Sequence, residues 1–155
     1  MNDKSTSSLR ETLAEHDIAV VQGKGTSMMP LIANSRDRMC IKSLSRRPKK
    51  YDVLVYENPR GIVAHRALKC TDEHIVMCGD NQYVKETVPY EAVIGYVPGI
   101  LRNGTDYLDF EKTKWCVAYS RIWCVSLFLR RCVLFVYHRI SKRYKNESAY
   151  ARANK

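Results

Sequence analysis

Up to Phe110 the apolar residues come in short runs, and each run is closed within a few positions by turn-forming residues. Ile18 to Gln22 ends in Gly23-Lys24-Gly25, and the proline-containing stretch Ser43 to Lys50 separates Arg38 to Lys42 from Val53 to Tyr56. Gly61 to Lys69 and His74 to Cys78 flank Thr71-Asp72-Glu73. Val93 to Val97 stands alone, and Ile100 to Phe110 carries Asn103-Gly104 in its middle. Apolar runs of this length, punctuated this often, form strands and hairpins, and Asn-Gly suits the positive φ angles of a two-residue turn. No helical repeat falls between the runs, which excludes a βαβ architecture. One short helix is expected ahead of them, from Ser8 to Asp17, with Ser8 as N-cap, Glu11 three residues later, and Leu9 and Leu13 on one face. Residues 1–111 therefore read as one mainly-β domain.

After Phe110 the pattern changes. Lys114 to Lys142 runs 29 residues without glycine or proline. At helical spacing, Lys114, Ser120, Arg121, Arg131, His138, Arg139 and Lys142 share one arc. Trp115, Ile122, Trp123, Leu127, Leu129, Val133, Leu134, Val136 and Ile140 lie mainly opposite, with Ser126 and Arg130 breaking the pattern. A C-terminal amphipathic helix is expected, in an appendage of residues 112–155 that ends in a polar tail. The chain has 26 Lys and Arg against 16 Asp and Glu, and 11 of those bases but only one acid, Glu147, fall from Lys112 onward. The net charge of +10 thus belongs to this segment, and residues 1–111 carry 15 charges of each sign.

A basic helix with a Trp, Leu and Phe face is expected to lie on an anionic membrane surface through residues 114–142. Nucleic acid is not expected as a partner, because helices that bind it seldom carry a full apolar face. Arg121, Arg130 and Arg131 argue for lying on the bilayer rather than crossing it. Met1 to Glu15 holds no continuous apolar stretch of the kind a secretory signal needs. No window reaches the ~18 apolar residues of a spanning helix. The expected location is peripheral, on the cytosolic face of a membrane.

Cys40, Cys70, Cys78, Cys116, Cys124 and Cys132 read as reduced thiols, since no secretion signal accompanies them. Cys70, His74 and Cys78 recur every four residues without a Cys-x-x-Cys pair, a poor zinc pattern and a good match to a strand hairpin. No metal and no cofactor is expected.

Three stretches bear chemistry. Gly25-Thr26-Ser27-Met28-Met29-Pro30 places a serine in a Gly/Pro loop directly after a strand, where backbone N–H groups can face a developing oxyanion. Ile62-Val63-Ala64-His65-Arg66 ends an apolar run on a histidine, and Met77-Cys78-Gly79-Asp80-Asn81 closes a strand on an acid at a turn. Taken singly, they are a turn serine, a half-buried histidine and an Asx turn.

In this order the three resemble the boxes of the type I signal peptidase family. Ser27-Met28-Met29-Pro30 is similar to its Ser-Met-x-Pro box, Val63-Ala64-His65-Arg66 to its base box and Gly79-Asp80-Asn81 to its Gly-Asp-Asn box. Tyr51-Asp52-Val53-Leu54-Val55 stands where the family has Gly-Asp-x-Val, and Gly95-Tyr96-Val97 is similar to its Gly-x-Val element. The resemblance spans Val20 to Pro98, about half the chain. Histidine rather than lysine in the base box is the endoplasmic-reticulum and archaeal pattern; Lys24 and Lys69 do not fall at the base position.

The resemblance implies a signal-peptidase-like β-fold and a membrane-associated serine endopeptidase that cleaves signal or leader peptides after small residues. Ser27 would be the nucleophile and His65 the general base. Asp80 would be the third catalytic residue, with Glu86 as the alternative acid. The backbone N–H of Ser27, aided by Thr26, would donate to the oxyanion. Family members usually anchor through a helix before the serine box, which Met1 to Ile18 does not match, so leader-peptide removal fits better than classical secretory processing. Two alternatives stay open. One is a catalytically lapsed peptide-binding module of the same fold; the other is a self-cleaving repressor-type peptidase. The oligomeric state is not set by the sequence.

Overall fold

The computed structural model describes residues 3–59, 61–125, 130–136 and 139. The short runs become β1 (Ile18–Val21), β2 (Asp37–Lys42), β3 (Val53–Asn58), β4 (Gly61–Cys70), β5 (His74–Cys78), β6 (Glu86–Pro89), β7 (Val93–Arg102) and β8 (Asp106–Asp109). Helices α1 (Asp3–His16) and α2 (Lys114–Val125) flank them. The fold is mainly β, as expected: a single antiparallel sheet curled into a half-barrel, with a short N-terminal helix and C-terminal helices. Strand order is β1-β2-β7-β3-β4-β5-β6, and β8 folds back on β7.

Strand β3 shows why one sheet suffices. All of Val53, Leu54, Val55 and Tyr56 are buried, because both faces of this central strand are covered. Val53 and Val55 join a core with Leu9 and Leu13 of α1, Met28, Leu31 and Ile32 of the serine loop, and Ile41, Ile100 and Cys116. Leu54 and Tyr56 point the other way, into a second core with Ala67, Ile75, Met77, Val88 and Val93. Burying each large apolar side chain contributes about 1.5–3 kcal/mol.

Three expectations need revision. The runs from Val93 and from Ile100 fuse into one strand, β7, because Pro98 sits where the β2–β7 register shifts between Cys40 and Lys42, a bulge that tolerates a missing N–H. The Asn103-Gly104 turn is as expected, with φ of 53° and 82°, and Thr105 N–H donates to Arg102 O at 3.2 Å. Helix α1 starts at Asp3, so Ser8 lies inside it and its carbonyl accepts from Thr12 Oγ1. Strand β6 was not legible: Glu-Thr-Val-Pro is short, half polar and ends on proline.

The third difference is at the C-terminus. Residues 114–125 and 130–136 are helical; 126–129, 137, 138 and 140–155 of the expected amphipathic segment and tail lie outside the described residues. The expected polar arc is exposed at Lys114, Arg121, Arg131 and Arg139, whereas the expected apolar face is buried only in part, at Leu134 and, half-buried, Trp123. Ser120 and Arg130 are buried, while Trp115, Ile122, Val133, Phe135 and Val136 are exposed. Helix α2 contributes Cys116 and Tyr119 to the first core. Among the described residues no helix is long and apolar enough to cross a membrane.

Candidate active site

His65 lies in the middle of β4, opposite Leu54 of β3, with its ring in the buried second face of the sheet. Tyr56, two residues along β3, reaches it diagonally, and its Oη is 2.8 Å from His65 Nδ1. The same hydroxyl donates to Glu86 Oε2 of β6 at 2.5 Å. A tyrosine has one hydroxyl proton, and a carboxylate only accepts. With that proton on the Glu86 side, Tyr56 Oη must accept from His65, which fixes the tautomer with hydrogen on Nδ1. Nε2 then carries the free lone pair that a general base needs. Burial pushes the His65 pKa below the ordinary histidine value, and the charges of Glu86 and then Asp80 pull partly against it. Burial and then the bond to Glu86 push the Tyr56 phenol far above its ordinary range, so it stays protonated at neutral pH.

Ser27 is half exposed, on a loop whose next residues, Met28, Leu31 and Ile32, are anchored in the first core. That anchoring explains a Ser-Met pair: one side chain goes into the core and its neighbour is held at the surface. The loop is tied to the turn after β5. Asn81 N–H donates to Ser27 O at 2.7 Å and Asn81 Nδ2 donates to Thr26 O at 3.1 Å. Gly79 allows the approach, since a Cβ there would lie 2.7 Å from Ser27 O. The last β4–β5 ladder pair is Arg66 with Cys78, and the antiparallel register carried one rung further sets Gly79 beside His65. Ser27 Cβ is 3.1 Å from where a Gly79 Cβ would stand, on the rung of the histidine. Among the described residues the Ser27 N–H has no acceptor and Ser27 Oγ has no hydrogen bond to His65. Such bonds commonly form only when substrate closes the site.

Among the described residues Asp80 makes no hydrogen bond to His65 and acts on it only through its charge. Its carboxylate is fully buried and takes a bidentate pair from Arg66, at 2.8 Å from Nε and 2.6 Å from Nη2. Arg66 also donates to Tyr51 O and to Ser120 Oγ of α2. Trp123 Nε1 donates to Asp80 O at 2.8 Å, and Arg130 Nη1 donates to Gly79 O at 3.0 Å and Gln82 O at 3.2 Å. Arg66, Tyr119, Trp123 and Arg130 form a column in which each guanidinium covers a ring and the two rings stack at 5.6 Å. Of the two acids considered, Glu86 connects to the imidazole and Asp80 holds the turn that holds the serine. Tyr56 and Trp123 had no sequence signal of their own, reading as ordinary members of an apolar strand and a helix face, and Arg130 showed only as a break in the helical pattern.

A cleft runs past the serine. Strand β5 pairs with β4 only from Arg66 to Cys70, so Gly61 to His65 has no strand on that side. Opposite this free edge lies the extended stretch Gly23 to Gly25, and between them is a cavity of ≈ 120 Å³ reached by Ser27, Met28, Ile32, Met39, Ile62 and Ala64. Lys24 lines the cleft as an exposed side chain; Lys69 is exposed, toward the far end of β4. The thiols of Cys70 and Cys78 sit at opposite ends of the β4–β5 ladder, and no metal-holding cluster occurs among the described residues.

No protein-family model matches the chain, and no curated protein matches it either.

Proposed function

We propose that this chain is a membrane-associated serine endopeptidase of the Ser–His type, similar to type I signal peptidases, that cleaves signal or leader peptides after small residues. The observation that carries the reading is the chain from Glu86 through Tyr56 to His65 Nδ1, which leaves Nε2 free on the rung where Gly79 receives the Ser27 loop. Ser27 Oγ attacks the scissile carbonyl as His65 Nε2 takes its proton; the imidazolium returns that proton to the leaving amine. The Ser27 N–H, with that of Thr26, donates to the oxyanion. Glu86, acting through Tyr56, opposes rotation of the ring and favours its cation.

An extended peptide fits the free edge of β4 by strand addition. A cavity of ≈ 120 Å³ beside Ser27 supports a small side chain next to the cut. The exposed apolar and cationic side chains of the C-terminal helices support attachment to an anionic membrane surface. A lapsed binding module would hold the same peptide without cutting it. Hydrolysis of an Ala-x-Ala peptide by wild type and by Ser27→Ala separates the two. The peptidase reading expects cleavage only by wild type, with binding kept by the variant; binding without cleavage by either overturns it.

A further inference from the structure

The C-terminal helices leave much of their apolar surface outside. Along α2 the buried positions are Cys116 and Ser120, with Tyr119 and Trp123 half buried beside them; the exposed positions are Lys114, Trp115, Ala118, Arg121 and Ile122. Residues 130–136 place Arg130, 1% exposed, and Leu134, 4% exposed, on the inner face, while Phe135 is 64% and Val133 and Val136 are more than half exposed. The patch continues onto the sheet domain through Tyr83 and Val84, which are also exposed, and Arg131 lies over the Tyr83 ring at 5.4 Å. In water this orientation wastes apolar surface that turning outward-facing residues inward would bury. The inner face is held by Arg66, which donates to Ser120 Oγ, and by the turn after β5, where Trp123 Nε1 donates to Asp80 O and Arg130 Nη1 to Gly79 O and Gln82 O.

Something apolar must cover the outside, and the surrounding charge selects it. Arg121, Arg131 and Arg139 are exposed around the patch, and so are Lys112 and Lys114. A second copy docking face to face would bring these cations against their own counterparts. An anionic bilayer meets both demands, with apolar side chains in the interface and guanidinium groups at the phosphates.

We infer that an anionic bilayer is an activating partner of the peptidase proposed above, on which this inference rests: it covers the outer face of the C-terminal helices and thereby holds their inner face on the catalytic turn. The coupling is a linkage. A bilayer that covers Ile122, Val133 and Phe135 outward favours only the arrangement with Arg130 and Trp123 inward, so it stabilises that arrangement over any in which the helices leave the turn. The turn from Gly79 to Gln82 carries the Asn81 contacts to Thr26 and Ser27, so its order sets the position of the nucleophile. Trp123 and Arg130 are positioning residues.

The test uses the full chain with phosphatidylglycerol–phosphatidylcholine vesicles and with phosphatidylcholine alone, following sedimentation and peptide hydrolysis together. Wild type is expected to sediment with the mixed vesicles only, with a severalfold rise in kcat. Ile122→Ser combined with Phe135→Ser is expected to lose both effects. Arg121→Glu with Arg131→Glu, which leaves the apolar face intact, is expected to weaken both. Trp123→Phe keeps the ring stack and loses the N–H to Asp80; it is expected to sediment like wild type while kcat falls at unchanged KM. Wild type that stays in the supernatant, or sediments with no change in kcat, overturns the inference, as does a dimer in solution that the Ile122/Phe135 variant dissolves. No cleavage under any condition overturns the peptidase reading and the coupling with it, while sedimentation still decides whether the outer face binds lipid.

Discussion

At the scale of single residues, the buried Asp80 and the half-buried Glu86 have different work near one histidine, and their variants should fail differently. Glu86 raises the His65 pKa against the burial that lowers it. Glu86→Gln removes that pull, so the acid limb of the pH–rate profile should move to lower pH while kcat falls, with thermal stability nearly kept. Tyr56→Phe leaves Nδ1–H without its acceptor and should cost less than the roughly 10²–10⁴-fold that loss of a general base costs. Asp80→Asn should instead lower stability by about 3–5 kcal/mol, because Arg66 is left buried beside a neutral group; a denaturant titration reads this directly. His65 also makes stability depend on pH. Its native pKa is depressed, so below about 6.5 the unfolded chain takes up a proton that the native state resists, and stability falls with pH through that window. The sequence made Ser27 and the Gly-Asp-Asn turn legible as turn motifs, and His65 as the close of an apolar run, although in the fold it lies in the middle of β4. It could not choose between Asp80 and Glu86, since that choice depends on Tyr56, which nothing in the sequence distinguishes from its apolar neighbours.

Among the elements, the stretch before β3 shows what a departure from a motif does. Tyr51 has φ of +80°, in the region that favours glycine, where the resembled family has Gly. Its backbone is held there by Tyr51 N–H to Ala67 O at 2.8 Å and by Arg66 Nη1 to Tyr51 O at 3.0 Å, and its ring takes a cation contact from Lys50. Relief of left-handed strain is worth about 1–2 kcal/mol. The added freedom of glycine in the unfolded chain costs about 0.5–1 kcal/mol. Tyr51→Gly should therefore be neutral to mildly stabilising in a denaturant titration, where an unstrained Tyr→Gly would be destabilising. Short strands were legible from their turn punctuation, and the β7 fusion was not, because a bulge at Pro98 depends on the register of a strand more than fifty residues earlier. The helical character of the C-terminal segment was legible too. Its orientation was not, because the buried ion pair that draws Ser120 and Arg130 inward comes from β4 and the turn after β5.

On the scale of the whole molecule, the C-terminal helices and the turn after β5 are one arrangement, joined through Ser120, Trp123 and Arg130. Removing everything after Glu111 would take Ser120, Trp123 and Arg130 from the Arg66–Asp80 pair, and such a truncation should melt earlier than the full chain and lose cleavage. The central claim is that His65 Nε2, held by Tyr56 and Glu86, is the base for Ser27. It is tested most directly by the pH dependence of kcat/KM for an Ala-x-Ala peptide, measured on wild type with His65→Ala as the control. A buried His65 base gives a single rise through an apparent pKa below the ordinary histidine value of about 6.5, with no cleavage by the variant. A rate that rises only above about pH 9, in the range of a lysine such as Lys24, or cleavage that persists in His65→Ala, would contradict it.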